Sequence, residues 1–132
     1  MGLFDFMKRK QELPEEDRKW NQMWDLWVQD EAASPYAELM EYDSEVNNGG
    51  HDQYFFNVEN CGDVAAAVQT LLEVLPEVLR ENLRRAYDVF CAGSEMDEDE
   101  AAERYGACDD VFWENEELLL ELLKEYAATM TL

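Results

Sequence analysis

The chain has 132 residues, 47% of them hydrophobic and 12% aromatic, with a formal net charge of −22. One domain with a real core is therefore available, which excludes a wholly disordered acidic chain. No apolar run approaches the roughly 18 residues of a membrane span, and the charge excludes nucleic acid and anionic membrane as direct partners while favouring basic proteins.

Residues 1–13 read as a flexible arm whose Leu3, Phe4, Phe6 and Met7 could dock on the body or on a second copy, leaving a homodimer open. This start has its basic residues after its apolar ones, and position 6 is not Ser or Thr. It reads as neither a signal peptide nor a myristoylation site. Residues 14–132 are expected to form a single helical domain. Pro14 followed by Glu15, Glu16 and Asp17 starts a helix, because Pro suits the first turn and acids suit the positive end of the dipole. Trp20, Met23, Trp24, Trp27 and Val28 fall at i, i+3, i+4, i+7 and i+8, one apolar stripe for a core.

Ser34-Pro35 reads as a second start, a cap and then a first turn. Tyr36, Leu39, Met40 and Val46 mark the buried side. Glu38, Glu41 and Glu45 form a carboxylate row at i, i+3 and i+7 on the same helix. Asn47-Asn48-Gly49-Gly50 stops it, since Asn tolerates and Gly readily adopts the left-handed conformation of a helix end. The chain restarts at once, with Gly50 or Asp52 at the N-cap, and Tyr54, Phe55 and Phe56 follow. At least two of these three rings must enter a core.

Asp63 caps the next helix, with Val64, Val68, Leu71, Leu72 and Leu75 as its stripe. Pro76 separates it from residues 77–92, where Leu79, Leu83, Ala86 and Phe90 face inward. The outer side of that helix balances Glu77, Glu81 and Asp88 against Arg80, Arg84 and Arg85. Glu95 to Glu103 reads as a charged loop or helix start around the block Asp97-Glu98-Asp99-Glu100. Ala101 and Ala102 stand where a calcium loop needs a third ligand and a Gly, which excludes an EF-hand. A last helix is expected from about Trp113 to Met130, with Leu119, Leu122, Leu123 and Tyr126 on its core side. No strand alternation and no repeat is found. The expected fold is all-α, a single compact bundle of five or six helices with a Gly-Gly corner between two of them.

The run Glu-Val-Asn-Asn-Gly-Gly-His-Asp-Gln-Tyr-Phe-Phe-Asn resembles the signature of the DNA-mimic-protein C-terminal-domain family, an all-helical family of bacterial domains. The matching residues are Glu45, Asn48, Gly49, Gly50, Gln53, Tyr54, Phe55 and Asn57. Position 51 departs from the family pattern, with His where an apolar ring is expected. The family takes its name from a member that imitates the DNA phosphate backbone and so occupies a DNA-binding protein.

That resemblance and the charge distribution point the same way. Residues 20–75 carry eleven acids and no Lys or Arg, and residues 93–132 carry thirteen acids against Arg104 and Lys124. The expected function is that of an acidic, non-enzymatic, cytoplasmic protein. It binds a basic DNA-binding protein through carboxylate rows and blocks its nucleic-acid site. The candidate contacts are Glu38, Glu41, Glu45, Asp97, Glu98, Asp99 and Glu100. The alternative is an immunity or inhibitor protein that neutralises a basic toxin enzyme. A hydrolase or ligand-binding site would have to use His51, the single histidine, which reads rather as a turn or packing residue. No cofactor or metal is expected. Cys61, Cys91 and Cys108 have no metal spacing and read as reduced thiols.

Overall fold

The computed structural model describes residues 13–132, so the expected arm over residues 1–13 lies almost wholly outside the described residues. Among the described residues five α-helices follow one another: α1 Glu15–Val28, α2 Tyr36–Cys61, α3 Val64–Val74, α4 Glu77–Ala92 and α5 Glu98–Ala127. A single 3-10 turn, Gly93–Glu95, joins α4 to α5, and no strand occurs among the described residues. The all-α expectation holds. Helix α2 is broken at Gly49 and Gly50, whose backbone angles are non-helical, and this is the expected Gly-Gly corner.

Periodic apolar stripes build the core. Met23 of α1, Leu39, Met40, Tyr42 and Val46 of α2, Leu71 of α3, Leu79 and Leu83 of α4, and Phe112, Leu119 and Leu123 of α5 are all at most 1% exposed. Past the corner, Tyr54 and Phe55 enter the same core while Phe56 stays outside. Val28, expected on the α1 stripe, is 75% exposed. It is the last residue of its helix, and the chain turns away at once through Asp30, whose φ is +61°.

Two helix starts depart from the sequence reading. Ser34 does not cap the backbone of α2; its hydroxyl donates to Glu38 Oε1 at 2.9 Å, and the helix begins after Pro35. The last helix begins at Glu98, not near Trp113, so of the two readings of the acidic block, loop or helix start, the helix start is the one observed. Asp97 is its N-cap, and one carboxylate oxygen accepts from the backbone N–H groups of Asp99 and Glu100. Carboxylates at the positive end of the helix dipole are favourable, which is why so dense a charge run folds into a helix at all. At 30 residues, α5 is about 45 Å long at 1.5 Å per residue. It packs against α1, α2 and α4 and organises the bundle. Among the described residues no helix is long and apolar enough to cross a membrane.

Candidate functional site

The signature residues assemble around the corner. Glu45, near the end of the first half of α2, accepts hydrogen bonds from Gln53 Nε2 at 3.0 Å and from Asn57 Nδ2, both in the second half. One carboxylate thus clasps the two halves. Gly49 leaves room for this clasp, because a Cβ there would overlap the Gln53 side chain. Gly50 has φ +80°, and a Cβ on it would overlap the carboxylate of Asp109 from α5. Asn48 is exposed, and Tyr54 and Phe55 are core residues.

Asp109 caps the second half of α2 from outside. Its Oδ1 accepts from the His51 backbone N–H at 2.8 Å and lies 2.6 Å from His51 Nδ1. His51 Nε2 lies 2.6 Å from the Tyr42 hydroxyl. With Nδ1 facing the carboxylate and Nε2 facing the hydroxyl, the His51 ring links Asp109 to Tyr42. His51 and Tyr42 are both fully buried. Burial above all, with the Tyr54, Cys108, Asp109 and Asp43 groups adding to it, holds the Tyr42 hydroxyl well above the ordinary tyrosine value. The ring system ties α2 to α5 through polar groups. Here Gly50 serves as the N-cap residue and the capping carboxylate comes from 58 residues away, while Asp52, the other N-cap expectation, is exposed.

A second polar contact between the same helices lies at Asp43. Burial first, then the hydrogen bond and repulsion from Glu116, push the Asp43 carboxyl up to about 8, against a smaller lowering by Asn47. Its Oδ1 is buried without a donor. Asn47 bridges the pair, donating to the Asp43 backbone carbonyl at 2.8 Å and to Glu116 Oε2 at 2.6 Å.

The seven candidate contact residues fall into two groups. Glu38, Glu41 and Glu45 share one side of α2 and are each half-buried. Glu45 is engaged in the clasp, and burial, Glu45 and Glu38 together raise Glu41 above the ordinary carboxylate value. Asp97, Glu98, Asp99 and Glu100 are exposed at the start of α5, where Glu100 pairs with Arg104 at 2.9 Å.

Helix α5 adds carboxylates outside the seven candidates. Glu103, Asp110, Glu114, Glu117, Glu121 and Glu125 are all exposed. At 3.6 residues per turn they fall within about 80° of arc and span about 33 Å. Lys124 is the one cation in the last turn and bridges Glu117 and Glu121 at 3.1 and 3.4 Å. The signal for this row was in the sequence as the spacing of 4, 3, 4 and 4 from Asp110 to Glu125. It becomes a row once those residues and the acidic block share one uninterrupted helix. Among the described residues no group of three His, Cys, Asp or Glu side chains could hold a metal ion.

The family model described as DMP19-like protein matches residues 30–130 of the chain. No curated protein and no solved structure matches it.

Proposed function

This chain belongs to the DMP19-like protein family, and from that premise we propose that it is an acidic, non-enzymatic protein that binds a basic DNA-binding protein and occludes its nucleic-acid site. The observation that carries the proposal is the outer face of α5. From Asp110 to Glu125 carboxylates recur there every three to four residues, about 4.5–6 Å along the axis, on a rigid scaffold. Phosphates along one DNA strand recur every 3.4 Å of helix axis, a spacing of the same order. Lys and Arg side chains that reach several phosphates of a duplex can reach several carboxylates of such a row. A helix holds its charges in place before binding, so less ordering entropy is lost than with a loop. The α2 row of Glu38, Glu41 and Glu45 is a second contact surface in this proposal. It ranks below α5 because its carboxylates are half-buried and Glu45 is occupied by Gln53 and Asn57.

Competition is the test. A basic partner recovered at low salt should bind DNA, lose it to this protein, and release this protein when salt rises, because screened charge pairs dominate the contact. Changing Glu114, Glu117 and Glu121 to Gln removes charge while keeping helix propensity. It should weaken the complex at least tenfold, about 1.4 kcal/mol. Glu77→Gln, Glu81→Gln and Asp88→Asn on the balanced helix α4 are the control and should do less. Equal loss from the two sets would show that net charge alone matters and that no DNA-like face exists.

A further inference from the structure

Phe56 stands apart from its two aromatic neighbours. It is 64% exposed, whereas Tyr54 and Phe55 are 1% exposed. A lone exposed ring is ordinary on a protein surface, but this one forms a wall of a groove of about 360 Å³ between the second half of α2, the end of α4 and the start of α5. Phe55, Phe90 and Tyr105 line the rest of its aromatic surface, and Asp52 and Glu59 line it with carboxylates. Phe55 stacks on Phe90 with ring centroids 5.1 Å apart and lies 6.1 Å from Tyr105. Asp52, Phe56 and Glu59 fall at i, i+4 and i+7, so both acids flank the exposed ring on one helix face.

The rings, the two carboxylates and the helix end at this groove each favour a cation. Aromatic faces attract guanidinium and ammonium groups through their quadrupole. Helix α4 ends at the groove with Gly93 as its C-cap, and its last turn holds no basic residue, so the helix itself sets no cation against its negative pole there. The Asp52 carboxylate acts on Tyr105 strongly enough to help burial, the larger cause, push its hydroxyl up to about 12. Ala101, in the first two turns of α5, also lines the groove, so the acidic block Asp97–Glu100 begins at its edge.

We infer that this groove is the receptor for one arginine side chain of the basic partner, its guanidinium stacked on Phe56 and Tyr105 and paired with Asp52 and Glu59. Arginine fits better than lysine because its planar group stacks on rings and meets two carboxylates at once. The inference rests on the reading of the protein as a receptor for a basic partner, and it adds an aromatic-walled pocket to a contact otherwise made of surface charge. Side chains anchored in a pocket and ringed by weaker contacts carry most of the binding energy of an interface.

The test needs no partner, so its failure and that of the DNA-competition experiment are separable. The full chain is titrated with N-acetyl-arginine amide, and the ring protons of Phe56 and Tyr105 are followed by NMR. Saturable shifts at both rings are expected. N-acetyl-citrulline amide, the same shape without the charge, should bind at least about threefold more weakly. Phe56→Ala, at an exposed position that leaves the core untouched, should weaken the arginine probe by a similar factor at Tyr105, and Glu59→Gln should weaken it in the same direction. Absence of saturation, equal binding of the citrulline probe, or unchanged affinity in Phe56→Ala each overturns the inference. The last of these would show that the probe follows overall negative charge and not the groove.

Discussion

Replacing Gly50 by Ala would place a Cβ on a backbone at φ +80° and drive it into the Asp109 carboxylate that caps the second half of α2. Backbone strain of this kind costs about 1–3 kcal/mol, and overpacking adds about as much again. Gly93 also has positive φ, yet nothing lies within 4 Å of where its Cβ would be. Urea unfolding should therefore show a clearly larger loss for Gly50→Ala than for Gly93→Ala. Equal losses would mean that strain alone acts and the fit to Asp109 is immaterial. The burial of Asp43 beside Glu116 fixes the sign of a pH dependence. An aspartyl group in an unfolded chain loses its proton near 3.9, whereas in the fold Asp43 keeps it up to about 8. Between those values the native state holds the extra proton, so stability falls as pH rises through that window and this contribution levels off above about 8. Thermal melts at pH 5.5 and pH 8 should show the higher midpoint at pH 5.5. Asp43→Asn, which offers Glu116 an amide donor at every pH, should narrow the gap. A gap unchanged in that variant would assign the effect to other groups.

Helix α5 is the element on which both the core and the acidic face depend. Its inner side carries Cys108, Phe112, Leu119 and Leu123, and its outer side carries the carboxylate row. Only a long continuous helix can hold both at once. Its first turn is dense in like charge, which costs a few tenths of a kcal/mol per pair at i, i+3 or i+4. The Asp97 cap and the favourable dipole offset that cost. Asp97→Ala should thus cost about 1 kcal/mol, visible as faster hydrogen exchange at the Asp99 and Glu100 amides while the Leu119 and Leu123 amides stay protected. If the first-turn amides exchange at an unchanged rate, the cap is not what holds the acidic block in place.

At the scale of the whole molecule, repulsion dominates the electrostatics. The ion pairs of Arg84 with Glu81, Arg104 with Glu100, and Lys124 with Glu117 and Glu121 are about half-exposed or more on each partner. Pairs of that kind contribute about 0–1 kcal/mol each. Against them stand 32 acids and 10 bases in one small chain. Salt screens both terms over a Debye length of about 10 Å at 0.1 M, and the repulsive sum is the larger. The melting midpoint should rise from low to moderate sodium chloride. An unchanged or lower midpoint would mean that the surface pairs outweigh the self-repulsion.

What the sequence determined by itself was local: the stripes, the caps and the breaks. The spacing from Trp20 to Trp27, the Asp63 cap, Pro76 and the Gly49-Gly50 stop act over one or two turns, so they are legible without a fold, and they specified an all-helical chain with a corner. The start of α5 was legible too, since Asp97 followed three residues later by Glu100 has the spacing of a capping box. The density of charge leaves a loop and a helix start equally open there, and the last helix is expected only from about Trp113. The acids of α5 could be counted in the sequence, but their common face emerges only when the helix is known to be unbroken from Glu98 to Ala127. Tertiary structure alone decided the rest. His51 meets Asp109 across 58 residues, burial and then Glu116 raise Asp43 at the α2–α5 contact, and Phe56 is left on a groove edge while Phe55 beside it is buried. Those outcomes depend on which helix arrives opposite, and periodicity within one helix carries no information about its neighbour.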